Sequence, residues 1–94
     1  MTEQAAIRVV VRGHVQGVYF RAFTLERAGE LAVTGYVRNL PGEDAVEVWA
    51  EGEKERLEAL LSYLQMGPPG ARVDEVVTSW SAETGKHPGF SIRY

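Results

Sequence analysis

The sequence predicts an α+β fold in which two βαβ units form one layer of strands and one layer of helices. Three observations support this prediction: strand-like and helix-like segments alternate as β-α-β-β-α-β, a short turn separates the two central strands, and the second helix has periodic leucines. Two such units within 94 residues match the ferredoxin-like βαββαβ sandwich, with an antiparallel sheet and both helices on one face. No linker divides the chain, so residues 1–94 are expected to form a single domain.

The first βαβ unit opens with a strand at residues 7–12, "IRVVVR", in which apolar and basic side chains alternate. After a connection that contains glycine, the next segment predicts a helix from about 21 to 32. Its apolar residues share one helical face: Phe20, Phe23, Ala28 and Leu31. Gly29 lies inside this helix and costs about 1 kcal/mol relative to alanine, so the helix depends on its packing.

The two central strands are predicted at residues 34–40, "TGYVRNL", and 45–51, "AVEVWAE". In the second of these strands the residues alternate: Val46, Val48 and Ala50 face one way, and Glu47, Trp49 and Glu51 face the other. Only Pro41–Asp44 separates them, and all four of these residues favour turns. We therefore expect an antiparallel hairpin.

The second unit has the clearer helix, at residues 53–65. Its leucines follow the i, i+3, i+4, i+7 spacing of a buried face: Leu57, Leu60, Leu61 and Leu64. The sequence "GPPG" at 67–70 ends it, because proline cannot continue the helical hydrogen bonds. A fourth strand is predicted at 71–80, then a loop, and a short terminal strand at 90–94.

Composition excludes several classes of protein. The net charge of −3 argues against a broad surface for nucleic acid or anionic membrane, which needs a clustered positive field. The chain has no cysteine, and its two histidines lack the spacing of a metal site, so no metal is expected. No apolar run approaches the roughly 20 residues that span a bilayer. The N-terminal segment does not resemble a signal peptide, so a cytoplasmic location is expected.

The segment "GHVQGVYFR", residues 13–21, connects the first strand to the first helix. The free N–H groups and the dipole of a helix N-terminus attract anions, and glycines allow a ligand to approach the backbone closely. Arg21 adds a planar fork of donors suited to two phosphate oxygens. On the residues alone two interpretations stay open: a phosphate site, or a tight turn with a surface arginine.

The same segment resembles the signature of the acylphosphatase family, small enzymes that hydrolyse carboxyl-phosphate anhydrides. The resemblance continues in order along the chain, through "GYVRNL", "VEVWAEG", "GPPGARVDEV" and "GFSIRY". It therefore covers about residues 7–94, and the first two motifs together are far more specific than either alone.

The resemblance implies a ferredoxin-like fold, acyl phosphate as a small-molecule substrate, no cofactor, and a monomer. By this resemblance Arg21 is the catalytic phosphate ligand and Asn39 positions the attacking water. The implied phosphate-binding loop consists of His14, Val15, Gln16, Gly17, Val18, Tyr19 and Phe20. His14 is expected to contribute its backbone rather than to act as a base.

Two positions depart from the family pattern without touching these catalytic residues. Tyr36 stands where the family often has tryptophan, and Ala32 stands where a glycine commonly ends the helix. Other functions stay open beside the enzyme: a ferredoxin-like binding module, a catalytically silent homologue, or a domain like the acylphosphatase part of larger carbamoyl-transferring proteins. The identity of the physiological acyl phosphate does not follow from the sequence.

Overall fold

A computed structural model describes residues 3–94, so the first two residues of the expected 1–94 domain lie outside the described part. It contains five strands and two helices in the predicted order. Their bounds are β1 Gln4–His14, α1 Phe20–Leu31, β2 Thr34–Asn39, β3 Ala45–Glu53, α2 Lys54–Met66, β4 Arg72–Ser81 and β5 Phe90–Arg93. The predicted βαββαβ order is confirmed. The individual strands are up to a few residues longer or shorter than the sequence predicts.

The strands form one sheet in the order β4-β1-β3-β2-β5. Strands β1, β2, β3 and β4 pair antiparallel, and the predicted β2–β3 hairpin is present. The terminal strand corrects the expectation of a wholly antiparallel sheet, because β5 runs parallel to β2. The reason is the path of the chain: β4 ends beside the start of β1, and residues 82–89 then pass along that end of the sheet to the opposite edge.

Both helices bury their apolar side chains against the same face of the sheet. Leu57, Leu60 and Leu64 of α2 are buried, as their spacing predicts. They share one core with Phe20 and Ala28 of α1 and with the inward-facing valines of β1, β2 and β3. Each fully buried leucine contributes about 2 kcal/mol relative to an exposed one, so this core fixes the helices over the sheet.

Helix α1 ends on an unusual residue. Ala32 has a left-handed backbone with φ of 55°. Its N–H donates to Gly29 O at 3.2 Å, and the N–H of Val33 donates to Ala28 O at 3.2 Å. These two bonds are the paired contacts of a Schellman C-terminus, where glycine is the preferred left-handed residue. The helix therefore ends as the family glycine would end it, although alanine occupies the position.

Replacing Ala32 by glycine is expected to stabilise the protein. The change removes the steric cost of a Cβ in the left-handed region, so the free energy of unfolding should rise by about 1 kcal/mol. Thermal unfolding should then shift upward by about 4–8 °C. The matched control is Ala59→Gly inside α2, which should lower stability by about the same amount. A lower midpoint for Ala32→Gly would contradict this account.

Candidate active site

The connection between β1 and α1 lies at the end of the sheet where β2 and β5 also end. The loop proper comprises residues 15–19, between His14 at the end of β1 and Phe20 at the start of α1. Gly13 has φ of 139°, and a Cβ there would collide with the carbonyl oxygen of Arg72. Strand β4 therefore approaches β1 closely at the point where the pairing register shifts. Only glycine permits this approach, and it fixes where the loop begins.

The loop turns into the helix through two residues with left-handed backbones, Gly17 with φ of 73° and Tyr19 with φ of 61°. Tyr19 is the N-cap of α1 and makes no side-chain cap, and the first helical turn has no acidic residue. The N–H groups and positive dipole end of α1 are thus not compensated by a side chain of the described residues. Such a helix end binds anions.

Two adjoining cavities open at this end of the sheet. One has a volume of about 370 Å³ and is lined by Val15, Gly17, Tyr19, Phe20, Arg21, Ala22, Asn39, Ile92 and Tyr94. The other, of about 380 Å³, is lined by Gln16, Arg21, Asn39, Leu40, Pro41, Gly42, Arg93 and Tyr94. Arg21 and Asn39 line both, so the structure brings the two predicted catalytic side chains together. Of the described residues, no aspartate or glutamate lines either cavity.

The arginines of these cavities differ from the others in the protein. Six of the eight arginines form an ion pair with a carboxylate: Arg8, Arg12, Arg27, Arg38, Arg56 and Arg72. Within residues 3–94, Arg21 and Arg93 form none. Their guanidinium carbons instead lie 4.8 Å from the ring centre of Tyr94 and 4.0 Å from that of Tyr36. Aromatic contact leaves the positive charge of these arginines available to an anion.

Asn39 is the last residue of β2, immediately before the hairpin turn. Its Oδ1 is buried, and no described residue donates a hydrogen bond to it. Buried polar atoms normally have a partner. Asn39 as a whole is only partly buried, and it lines both cavities together with Arg21.

The neighbouring Arg38 shares the carboxylate of Glu47 with Arg8. Its Nε lies 2.7 Å from Oε1 of Glu47, and Arg8 Nε lies 2.6 Å from Oε2 of the same carboxylate. Burial would raise the pKa of Glu47, but the hydrogen bonds from Arg38 and Arg8 outweigh it and lower that pKa. Arg38 is therefore held by a carboxylate, whereas Arg21 and Arg93 are the arginines at this end of the sheet that form no ion pair within residues 3–94.

Comparison with known proteins decides the family. A sequence model of the acylphosphatase family matches residues 7–92. The chain belongs to the acylphosphatase family. An acylphosphatase from Dehalococcoides mccartyi is 48% identical over 88 residues, which are 94% of this chain and 97% of that protein. One from an Anaeromyxobacter species is 45% identical over 94 residues, the whole of both chains.

A solved acylphosphatase structure also matches the fold of this chain. The crystal structure of the Bacillus subtilis acylphosphatase superposes with a TM-score of 0.91 at 32% identity, covering 96% of this chain and 99% of that one. The predicted ferredoxin-like fold and acylphosphatase activity are confirmed, and nothing supports the binding-module alternative.

The residues expected to form the acylphosphatase loop divide into three groups. The cavities are lined by Val15, Gln16, Gly17, Tyr19 and Phe20. Val18 lines neither cavity and packs against the core. His14 is an exposed strand residue that pairs with Arg72 of β4, so it lies outside the loop proper and away from the cavities.

Two residues that line the candidate site have no role assigned from the sequence: Arg93 and Tyr94. They reach the site because β5 is parallel to β2, and the carboxyl ends of parallel neighbours lie at the same edge of a sheet. The motif "GFSIRY" was the available signal, but strand direction decides where its last residues lie.

No group of three or more His, Asp or Glu side chains in residues 3–94 is arranged to hold a metal ion. No helix in that range is long and apolar enough to cross a bilayer.

Proposed function

We propose that this acylphosphatase binds the phosphate of its substrate with the loop at residues 15–20 and with Arg21, while Asn39 positions the attacking water. The observation that carries this proposal is the unpaired Arg21 at an uncapped helix N-terminus, in two cavities that Asn39 also lines. A phosphate placed there would receive backbone N–H donors and a bidentate guanidinium. A phosphate bound at this position leaves the side chain of Asn39 available for the oxygen of the attacking water.

The reaction requires one bond to form and one to break. The oxygen of water attacks phosphorus, and the bond between phosphorus and the acyl oxygen breaks with its electron pair, so that a carboxylate leaves. Such phosphoryl transfer has a loose transition state with charge on the equatorial oxygens. Arg21 and the loop N–H groups stabilise that charge, and Asn39 holds the water in line with the leaving group.

The cavity suits a leaving group that needs no protonation. Of its described lining residues, none is an aspartate, glutamate, histidine or lysine. A carboxylate is stable as an anion, so no general acid is required. The proton of the attacking water passes to a phosphate oxygen of the substrate, since the amide of Asn39 is a poor base.

The remaining predictions belong to the same proposal. A monomer as the active form stays a prediction. The cytoplasmic location stays a prediction. The substrate is a small acyl phosphate rather than a nucleic acid, in line with a cavity of about 370 Å³.

Replacing Asn39 by alanine tests the role of the water-positioning amide. With acetyl phosphate as substrate, kcat/KM should fall about 100-fold, the usual effect of removing one group that acts in the transition state. The inhibition constant of inorganic phosphate should change less than about threefold, because Asn39 does not hold the phosphate. The control is Thr34→Ala at the other end of β2, which should retain activity. Unchanged turnover by the Asn39 variant would remove Asn39 from the mechanism.

Isotope labelling tests the site of attack. When acetyl phosphate is hydrolysed in ¹⁸O-water, the label should appear in phosphate and not in acetate. Label in acetate would show attack at the acyl carbon, and the proposed in-line arrangement would then be wrong.

A further inference from the structure

The side chain of Gln16 points away from the helix N-terminus and into the β2–β3 turn. Its Nε2 donates to Glu43 O at 2.7 Å and to Ala45 O at 2.9 Å, and lies 3.4 Å from Leu40 O. The two protons of one amide are thus directed at three carbonyls of a different segment. Gln16 also lines the cavity shared by Arg21 and Asn39.

The turn that receives these bonds begins directly after Asn39. It closes through Leu40 N–H donating to Ala45 O at 3.0 Å and Glu43 N–H donating to Leu40 O at 3.3 Å. Leu40 and Ala45 are buried together on the face of the sheet away from the helices. The Gln16 amide connects the loop that leads into α1 to the carbonyls of Leu40, Glu43 and Ala45 in this turn.

A second bond joins the same two segments at the start of the loop. The N–H of Gly13 donates to Asp44 O at 3.0 Å. This bond is made by the backbone of Gly13, whereas the three contacts of Gln16 depend on its side chain. Removing that side chain leaves the carbonyls of Glu43 and Ala45 without these donors.

We propose that Gln16 is a positioning residue that holds the turn after Asn39 against the loop before Arg21. This inference rests on the roles proposed above for Arg21 and Asn39. The amide fixes the distance between the group that binds phosphate and the group that positions water. Turnover by such a site depends on that distance, since a displacement of about 1 Å can cost 100-fold in rate.

Direct phosphate binding by the Gln16 side chain is the competing role. The geometry disfavours it, because both protons of the amide nitrogen face backbone carbonyls. The remaining side-chain atom, Oε1, is an acceptor and repels an anion. The two roles predict different kinetics, since a phosphate ligand changes phosphate affinity and a positioning residue changes turnover.

A double-mutant cycle between Gln16 and Asn39 tests the proposal. Gln16→Ala should lower kcat for acetyl phosphate about 10-fold, with the inhibition constant of inorganic phosphate changed less than about threefold. In the Asn39→Ala background the same change should lower kcat less than about threefold, because the group that Gln16 positions is already absent. Gln65→Ala on α2 is the control and should have no effect.

Gln16→Glu gives a second arm of the cycle at nearly constant side-chain volume. The carboxylate cannot donate and is repelled by the three carbonyls, so its kcat should be at least as low as that of Gln16→Ala. Wild-type activity in this variant would show that Gln16 only fills space and would overturn the proposal. If the alanine variant does not fold, as judged by circular dichroism, Gln16→Met serves for the cycle, because it keeps most of the volume and has neither a donor nor a charge.

The remaining outcomes separate this inference from the proposed function. If Asn39→Ala loses activity and the effect of the Gln16 change is undiminished in that background, the positioning role is wrong and the mechanism stands. A phosphate inhibition constant that rises in proportion to the loss of activity would assign Gln16 to phosphate binding instead. If Asn39→Ala alone is fully active, the proposed mechanism fails, and the positioning role fails with it.

Discussion

Replacing Arg21 by alanine is expected to lower kcat/KM for acetyl phosphate about 1,000-fold, the upper range for loss of one preorganised charge-stabilising donor. Arg21 lines both cavities and carries a charge that no described carboxylate neutralises. The backbone N–H groups of the loop remain in the variant, but their partial charges are weaker than a full guanidinium charge. Steady-state kinetics measures the loss, and the inhibition constant of inorganic phosphate should rise with it.

Two further arginine variants separate charge, geometry and position. Arg21→Lys keeps the charge without the planar fork, so it should recover only a small part of the activity. Arg72→Ala removes an exposed arginine paired with Asp74 at 3.0 Å, and its activity should stay within about twofold of wild type. If Arg21→Ala keeps nearly full activity while Arg93→Ala loses it, the phosphate is held by Arg93 and the assignment of Arg21 is wrong.

The parts of the fold that sequence predicts well are those with local causes. The leucine spacing of α2 and the prolines after it determine a helix and its end without reference to the rest of the chain. The β2–β3 hairpin is likewise set by the four turn-forming residues between its strands. The approach of Arg21 to Asn39 has no local cause, because it depends on how β1, α1 and β2 pack. The sequence indicated it only through resemblance to a family.

The direction of β5 and the burial of two glutamates have no local cause either. Alternation in β3 places Glu47 and Glu51 on the face away from the helices, where carboxylates are normally exposed. Both are only 4% exposed. Glu47 is covered by arginines from neighbouring strands, and Glu51 is covered by the loop at residues 82–89. Arg8 lies 39 residues from Glu47 and Thr84 lies 33 residues from Glu51, so periodicity along β3 could not reveal these contacts.

Glu51 holds the loop that carries the chain across the sheet to β5. Its Oε1 accepts the backbone N–H groups of Thr84 at 2.7 Å and Gly85 at 3.0 Å. Its Oε2 accepts the Thr84 hydroxyl at 2.6 Å and Trp49 Nε1 at 2.7 Å. Burial alone would raise the pKa of Glu51, but these four donors outweigh it and lower that pKa from 4.5 to about 2. The charged form is therefore strongly preferred in the folded protein.

The depressed pKa of Glu51 predicts a loss of stability in acid. Because the folded pKa lies below the unfolded one, the carboxylate stabilises the fold fully above about pH 5, and this stabilisation is lost as the pH falls toward about 2. A shift from 4.5 to about 2 corresponds to about 3 kcal/mol at neutral pH. Urea unfolding of the wild type between pH 7 and pH 2.5 should show this decline.

Glu51→Gln isolates the contribution of this carboxylate from that of the other acids. The amide presents two protons to a site built of donors, so at pH 7 the variant should lose about 3 kcal/mol of unfolding free energy. The gap to wild type should narrow as the pH falls, since protonation removes the same charge from the wild type. Glu58→Gln, on the exposed face of α2, should stay parallel to wild type at every pH. A gap that stays constant down to pH 2.5 would show that Glu51 acts through packing and not through its charge.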